Sequence, residues 1–201
     1  MGRTQSFWTA RTTAVVGQLH LVGDRDFSLM SFDTVGDRIC EPLRNHKISN
    51  TLFGVASTVG DFSIIWHVIG FLYAIGSMHR LQQAVALSIA LGCESIIVNQ
   101  GVKRLFRRER PTTSGDDRFD LRTPSTSSFP SGHASSATVA AIILVTFTGM
   151  PWAILWVAIA IIVAMSRVVV RIHHMSDIVG GVITGAVLGA IIAPIISSII
   201  G

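Results

Sequence analysis

The stretch SSFPSGHASSATVAAIILV (residues 127–145) changes character in its middle. Its first part, FPSGH (129–133), has the composition of a polar turn, because proline, serine and glycine favour turns. From Ala134 onward the chain is small and apolar for about four helical turns. A glycine and a histidine therefore stand at the start of an apolar helix, and their purpose depends on what the rest of the chain brings to that turn.

The composition of the chain is that of a membrane protein. Of its 201 residues, 49% are hydrophobic and 14% charged, and the mean hydropathy is +0.55. A soluble domain carries roughly a quarter charged residues. The charges are concentrated in residues 1–50 and 103–122, which leaves long uncharged stretches between and after them. This distribution favours a membrane protein over a soluble domain.

The apolar stretches are close to the length that crosses a bilayer, which is about 20 mostly apolar residues. They are residues 62–78, 82–102, 134–150, 151–165 and 177–200. In the last stretch, Gly181, Gly185 and Gly189 recur at helical spacing, which suits close packing of helices in lipid. We therefore predict an all-α polytopic membrane bundle of about five transmembrane helices.

Residues 1–60 contain no predicted span, but they do contain an amphipathic helix. Phe32, Val35, Ile39 and Leu43 recur at spacings of three and four. The other faces carry Asp33, Asp37, Arg38, Glu41 and Arg44. Such a helix lies at the membrane interface or packs on the bundle as a cap, and we expect the cap. We divide the chain into an N-terminal amphipathic segment, 1–54, and a transmembrane domain, 55–201.

The ends of the predicted spans bring distant polar residues to one face of the membrane. One span ends at Lys103 and the chain returns at Ala134, while another ends at Ser166 and the chain returns at Asp177. Because two-helix hairpins separate these junctions, all of them lie on the same face. The residues gathered there are Lys103, Arg110, His133, Arg167, His173 and Asp177.

These residue types suit chemistry on a phosphoryl group. His173 and Asp177 are four positions apart and share one face of a helix. An aspartate that accepts from one imidazole nitrogen leaves the other nitrogen free as a nucleophile or base. Nearby cations would stabilise the charge on the equatorial oxygens of the phosphoryl group. Backbone amides at Ser131-Gly132 would bind an anion at a helix N-terminus, with His133 beside them as a proton donor.

Other polar residues have simpler explanations. We expect Arg104, Arg107 and Arg108, which flank a span, to extend towards lipid headgroups. Asp61, at the head of the first span, is expected to cap that helix.

Three motifs occur in order with spans between them. KRLFRRERP (103–111) is lysine, six residues and arginine-proline; PSGH stands at 130–133; SRVVVRIHHMSD (166–177) is serine-arginine, five residues, histidine, three residues and aspartate. Together they resemble the type 2 phosphatidic acid phosphatase superfamily over roughly residues 55–195. That superfamily acts on lipid phosphates and is related to bacterial acid phosphatases and vanadium haloperoxidases.

The resemblance implies a role for each matched residue. His173 would attack the phosphate and form a phosphohistidine, with Asp177 orienting its ring. His133 would protonate the leaving alcohol and then activate water. The phosphate would be held by Lys103, Arg110, Ser131, Gly132 and Arg167. No metal or other cofactor is implied, because the basic side chains neutralise the charge.

The implied substrate is a lipid phosphate monoester or diphosphate in the membrane, with no nucleic-acid partner. Phosphatidate, phosphatidylglycerophosphate, prenyl diphosphate and a prenyl-phosphoryl sugar phosphate all remain open, because the motifs bind only the phosphate. Of the 16 Lys and Arg residues, 15 fall on the face of the site and only Arg80 on the other. The positive-inside rule therefore favours a site on the cytoplasmic face of a bacterial inner membrane, and with it a biosynthetic step.

Other classes of protein would use some of the same residues. A transporter would carry protons on Glu94 and His67 within the membrane, although we expect Glu94 to be neutral or paired with a neighbouring helix, for instance with His67 or Asn99. A haloperoxidase-like protein would bind vanadate in the same cluster, but a halide does not explain the membrane spans. A metal site would be built from His133, His173, His174 and Asp177.

Overall fold

A computed structural model describes residues 30–112, 116–119 and 124–200. Within these ranges every regular element is a helix. The helices are α1 (30–45), α2 (Lys47–Gly60), α3 (Ile64–Tyr73), α4 (Met78–Ile96), α5 (Lys103–Leu105), α6 (Gly132–Thr148), α7 (Ala153–Val169) and α8 (Met175–Ile200). Short turns of 3-10 helix, Asp61–Ser63 and Met150–Trp152, lead into α3 and α7, and a π-helix, Ile97–Val102, joins α4 to α5.

In the described part of the chain, four helical stretches are long and apolar enough to cross a membrane. They are Lys47–Tyr73, Met78–Leu105, Met150–Val169 and Met175–Ile200. The helix α6 is also apolar but has only 17 residues. The predicted polytopic helical bundle of an integral membrane protein is confirmed.

The first of these stretches begins earlier than the sequence predicted, at Lys47 rather than at residue 62. A kink divides it, because Phe62 and Ser63 have φ angles of 52° and 61°. Serine, threonine and asparagine lower the hydropathy of α2, which hid it in the sequence. Thr51 and Thr58 satisfy their hydroxyls within the helix, since each donates to the carbonyl one turn earlier, at 3.0 and 3.1 Å.

Helix α6 lies at the centre of the bundle and packs against α8, α7 and α4. Its contact with α8 is close because glycines line that face of α8. A Cβ atom added at Gly181 would come 2.5 Å from the carbonyl oxygen of Ser131, and one at Gly189 would come 2.7 Å from Ile142. The close packing predicted from the glycine spacing is therefore present, and it fixes the start of α6 against the start of α8.

Helix α1 is attached to the end of α7 by a buried arginine. Arg44 is 1% exposed and donates hydrogen bonds to the carbonyls of Val168 and Val169, at 2.9 and 2.7 Å. The same guanidinium forms ion pairs with Asp37 and Glu41, at 2.6 and 2.7 Å. A cation is favourable at a helix C-terminus, where carbonyl groups lack partners within the helix. The polar side of α1 thus makes the contact with the bundle.

Most of the apolar side of α1 points away from the protein, whereas Leu43 at its end packs against the core. Phe32, Val35 and Ile39 are 46%, 50% and 64% exposed. This arrangement suits a helix that caps the bundle with one face and meets the membrane interface with the other. The predicted segment boundary at residue 54 falls inside α2 (Lys47–Gly60), and residues 1–29 of that segment lie outside the described residues.

Candidate active site

A cavity of about 390 Å³ opens at the end of the bundle where α6 and α8 begin and α5 and α7 end. Of the residues that the sequence singled out, five line this cavity: Lys103, Gly132, His133, Arg167 and His173. The other three, Arg110, Ser131 and Asp177, are joined to it by hydrogen bonds. The fold therefore brings all eight residues together, although α6 and α7 lie between Lys103 and Asp177 in the chain.

His173 and Asp177 form a buried pair. The Nδ1 atom of His173 lies 3.4 Å from Oδ2 of Asp177, and the two residues are 2% and 0% exposed. Asp177 accepts further hydrogen bonds from the hydroxyl of Ser128 and from the backbone amide of His174, the latter at 2.8 Å. The carboxylate is thus fixed from several directions, and it fixes one nitrogen of the imidazole.

The other nitrogen of His173 faces a cation. Its Nε2 atom lies 3.3 Å from Nη1 of Arg110, whose guanidinium is itself held by the carbonyls of Ile172 and Thr126, both at 3.0 Å. Burial lowers the pKa of His173 from its ordinary value to about 3, and this desolvation outweighs the opposite effect of Asp177. The imidazole is therefore neutral at physiological pH and has a lone pair available for attack.

Arg167 has unsatisfied hydrogen-bond donors directed at this region. It lies in the last turn of α7, is 1% exposed, and donates from Nη1 to the hydroxyl of Ser57. Its Nε and Nη2 groups are buried and have no hydrogen-bond partner among the described residues. Buried donors are almost always paired in folded proteins. Two unpaired guanidinium donors in the lining of a cavity fit an anion with several oxygens, such as a phosphate.

The start of α6 supplies backbone groups to the same cavity. Ser131 is the N-cap of α6, and its hydroxyl accepts a hydrogen bond from the amide of Ala134 at 3.4 Å. Gly132 follows, and a Cβ atom added there would come 3.7 Å from Nζ of Lys103. The ammonium group and the positive end of the α6 dipole therefore lie side by side, as an anion-binding site requires.

His133 is oriented by two residues that the sequence did not assign to the site. Its Nε2 atom lies 3.1 Å from the carbonyl oxygen of Ser57 and 3.3 Å from Oδ1 of Asp61. Because both oxygens are acceptors, Nε2 carries a hydrogen. Gly60 makes room for the ring, since a Cβ atom there would come 2.6 Å from Cδ2 of His133. Asp61, expected as a helix cap, thus provides a carboxylate that stabilises the protonated imidazole.

The interpretation of Arg108 as a headgroup contact is wrong. Its Nη1 atom donates to Oδ1 of Asp177 at 2.7 Å and to the hydroxyl of Ser176 at 2.6 Å. Its Nη2 atom forms an ion pair with Asp33 on α1. Asp33 also accepts from the backbone amide of Ser176 at 2.8 Å. Helix α1 is therefore connected to the carboxylate that orients His173.

Glu94 does not pair with either of the expected partners. His67 lies 2.9 Å from the hydroxyl of Ser88, and Asn99 donates to the hydroxyl of Ser95 at 3.0 Å. Glu94 instead lines the cavity of the candidate active site. This arrangement does not form the proton path of a transporter that Glu94 and His67 would have to share. Among the described residues, no three His, Cys, Asp or Glu side chains come together in a way that could hold a metal ion.

The PAP2 superfamily profile matches residues 83–199, and the chain belongs to this superfamily. The chain is 42% identical over 130 residues to decaprenylphosphoryl-5-phosphoribose phosphatase of Mycolicibacterium smegmatis, covering 62% of this chain and 67% of that protein. It is 37% identical over 126 residues to the protein of the same name from Mycobacterium tuberculosis, covering 62% and 68%.

Two solved structures share the fold. The transmembrane PAP2 type phosphatidylglycerolphosphate phosphatase from Bacillus subtilis superposes with a TM-score of 0.61 at 22% identity, covering 86% of this chain and 88% of the other. Aquifex aeolicus LpxE also gives a TM-score of 0.61, at 21% identity, covering 78% and 93%. With the family assignment, the predicted function as an integral membrane phosphatase of lipid phosphates is confirmed.

Proposed function

We propose that this phosphatase removes the terminal phosphate monoester from a polyprenyl-phosphoryl pentose phosphate. Two relatives, at 42% and 37% identity, are named as phosphatases of such a lipid. The observation that carries the phosphoryl site is that the buried Nε and Nη2 groups of Arg167 have no hydrogen-bond partner in the described part of the chain and lie in the cavity that His133 and His173 also line. A phosphate bound there would accept from both donors and lie between the two imidazoles.

In the first half of the reaction, His173 attacks the phosphorus atom. Its Nδ1 faces Asp177, so Nε2 is the nucleophile. A P–N bond forms as the P–O bond to the pentose breaks. His133 gives its proton to the departing oxygen, which leaves as an alcohol, and Asp61 stabilises the protonated imidazole before this transfer.

In the second half, water releases the phosphate. His133, now neutral, accepts a proton from a water molecule as the water oxygen attacks phosphorus. The P–N bond breaks, orthophosphate leaves, and His173 returns to its neutral form. Both transition states place charge on the phosphoryl oxygens, which Lys103, Arg110 and Arg167 stabilise together with the amide of Gly132. We expect these groups to replace a metal ion, so that phosphate release continues in EDTA.

The site is proposed to face the cytoplasm of a bacterial cell. Among the residues that the structure describes, the Lys and Arg side chains other than Arg80 lie on the side of the site, which supports this orientation. Because α8 begins at the site, its C-terminal end at Ile200 lies at the opposite face. Alkaline phosphatase fused after α8 should therefore be active outside the inner membrane. A green fluorescent protein fused at the same position should not fluoresce. Fluorescence of that fusion would place the end of α8 in the cytoplasm and contradict the orientation.

The substrate is tested by phosphate release from purified protein in detergent. We expect the highest kcat/KM with a prenyl-phosphoryl ribose 5-phosphate, and lower values with phosphatidylglycerophosphate, phosphatidate and prenyl diphosphate. His173→Ala serves as the control for contaminating phosphatases and should release nothing. A wild-type protein that prefers one of the other lipids would contradict the proposed substrate, though not the family assignment.

A further inference from the structure

One wall of the cavity carries polar side chains that the mechanism above does not use. Glu94, Ser95, Asn99 and Gln100 line it from α4 and the π-helix that follows. Ionisable and amide side chains are expensive within a membrane span, and those that occur there usually serve a function. Their position in the cavity that binds the phosphate makes them candidates for contact with the rest of the substrate.

Glu94 is the side chain in this wall with a buried acceptor atom that a ligand could use. It is 2% exposed, and its Oε1 atom has no hydrogen-bond partner among the described residues. The buried hydroxyl of Ser135 lies close enough to donate a hydrogen bond to the Glu94 carboxylate, and Lys103 lies close enough for a favourable Coulomb interaction with it. A carboxylate accepts up to about four hydrogen bonds. The Oε1 atom, which has no partner within normal hydrogen-bond geometry among the described residues, can therefore still accept from a ligand with hydroxyl groups.

The π-helix explains why Glu94 reaches the cavity. Nine residues separate it from Lys103, and in an uninterrupted α-helix they would rotate by about 900°, which puts the two side chains on opposite faces. The six residues Ile97–Val102 are π-helical and turn less per residue. The angle between the Glu94 and Lys103 side chains about the helix axis therefore falls to about a quarter of a turn. Both side chains can then line one cavity. Such π-helical turns often occur at functional sites.

The polar wall lies where the leaving group of the substrate must pass. Glu94 lies nine residues before Lys103 and therefore deeper in the bundle, towards the membrane interior. The lipid tail has to leave the site in that direction. The same cavity reaches the kink between α2 and α3, where Phe62 is 76% exposed on the surface of the bundle. The group between the scissile phosphate and the tail therefore lies against Glu94 and its neighbours.

We propose that Glu94, Ser95 and Asn99 form a subsite for the hydroxyl groups of a sugar in the leaving group, with Glu94 accepting a hydrogen bond from a ring hydroxyl. This inference rests on the proposed function, since it assigns the pentose of that substrate to the deeper part of the cavity. A site built to bind a hydroxyl discriminates strongly against an analogue that lacks it, because its buried acceptor is then left unpaired. The subsite would make the enzyme select sugar phosphates from other lipid phosphates.

The test combines a variant with altered substrates. Glu94→Gln should lower kcat/KM for prenyl-phosphoryl ribose 5-phosphate by roughly tenfold, because an NH2 donor replaces one of the two carboxylate oxygens. It should change hydrolysis of prenyl diphosphate and phosphatidate by less than about twofold. Removing the 2- or 3-hydroxyl of the ribose should slow the wild type by roughly tenfold but the variant much less. Gln83→Leu, at the far end of α4, is the control and should behave as wild type with every substrate.

Each outcome has a distinct meaning. An equal loss with all substrates would overturn the subsite and assign Glu94 an action through Lys103. No loss with any substrate would overturn it as well. If the wild type prefers phosphatidylglycerophosphate, whose glycerol carries a hydroxyl, and Glu94→Gln slows that lipid selectively, the pentose is wrong but the hydroxyl subsite stands. A wild type that accepts only lipids without such a hydroxyl would overturn both the subsite and the proposed substrate.

Discussion

Asp33 lies outside the three motifs, yet its loss should reach the proposed nucleophile. Its carboxylate is 7% exposed and accepts hydrogen bonds from the amide and hydroxyl of Ser176, at 2.8 and 2.9 Å. It also pairs with Arg108, which in turn donates to Asp177 at 2.7 Å. Asp33→Ala removes a partner from both Arg108 and the start of α8. The orientation of Asp177, and through it of His173, should become less well defined.

The size of the effect follows from these contacts. A hydrogen bond to a charged group contributes about 1.5–3 kcal/mol, and a carboxylate at a helix N-terminus adds about 0.3–1 kcal/mol. The Arg108 side chain is 30% exposed and regains some hydration when Asp33 is lost. We therefore expect the free energy of unfolding to fall by about 2–4 kcal/mol, which is less than the sum over the contacts of Asp33 with Arg108 and Ser176. If half of this loss appears in the transition state, kcat falls roughly 5- to 30-fold.

The assay is phosphate release in detergent, with kcat and KM measured separately. KM should change by less than about twofold, because Asp33 does not line the cavity that binds the phosphate. Asp33→Asn keeps an acceptor for Ser176 but not the charge, so its kcat should lie between those of the wild type and Asp33→Ala. Asp37→Ala is the control: its side chain is 42% exposed and pairs with Arg44 and Arg171 rather than Arg108. A kcat of Asp33→Ala within twofold of wild type would refute the connection between α1 and the site.

Three further results are expected. Burial holds the pKa of His173 near 3, whereas the imidazole of the unfolded chain binds a proton below about pH 6.5. The free energy of unfolding should therefore fall as the pH is lowered below 6.5, by up to about 1.4 kcal/mol per pH unit. Thermal unfolding at pH 7.5 and 5.5 should show a smaller fall for His173→Gln. Gly181→Ala should lower the free energy of unfolding by about 1–3 kcal/mol, because the new Cβ atom would come 2.5 Å from the carbonyl oxygen of Ser131. Its control is Gly92→Ala, whose new Cβ atom meets nothing within 4 Å. That variant should be neutral or stabilising by up to about 1 kcal/mol. Asp61→Asn should slow formation of the alcohol product roughly tenfold, as measured by a single-turnover burst, because His133 loses the carboxylate that favours its protonated form.

The bundle and the core of the site were predictable because they depend on local patterns. Apolar runs indicate helices, and the positions of Lys103 and Asp177 at the ends of such runs place them on one face. The small residues at Gly181 and Gly189 indicated which face of α8 packs closely. The start of the first span was not predictable in the same way, because Thr51 and Thr58 reduce the hydropathy of α2 while their hydroxyls bond within the helix.

The supporting residues of the site were missed because they act over long distances in the chain. Asp61 reaches His133 and Asp33 reaches Arg108 across more than seventy residues, and no spacing rule connects such pairs. The position of Glu94 was obscured for another reason. The π-helix changes the rotation of the chain between Glu94 and the site, and a π-helical turn has no clear sequence signal. The helix ends predicted the cluster, but the carboxylates that orient its histidines required the structure.

The central claim is that His173 carries the phosphate during the reaction. The most direct measurement is the transfer of ³²P from a labelled lipid phosphate to the protein, in EDTA and quenched at alkaline pH, where a phosphohistidine survives. We predict label on wild-type protein and none on His173→Ala. On His133→Ala, which lacks both the acid of the first half and the base of the second, label should appear more slowly and also be lost more slowly. Label that persists on His173→Ala, or that never appears on any form although phosphate is released, would contradict the account.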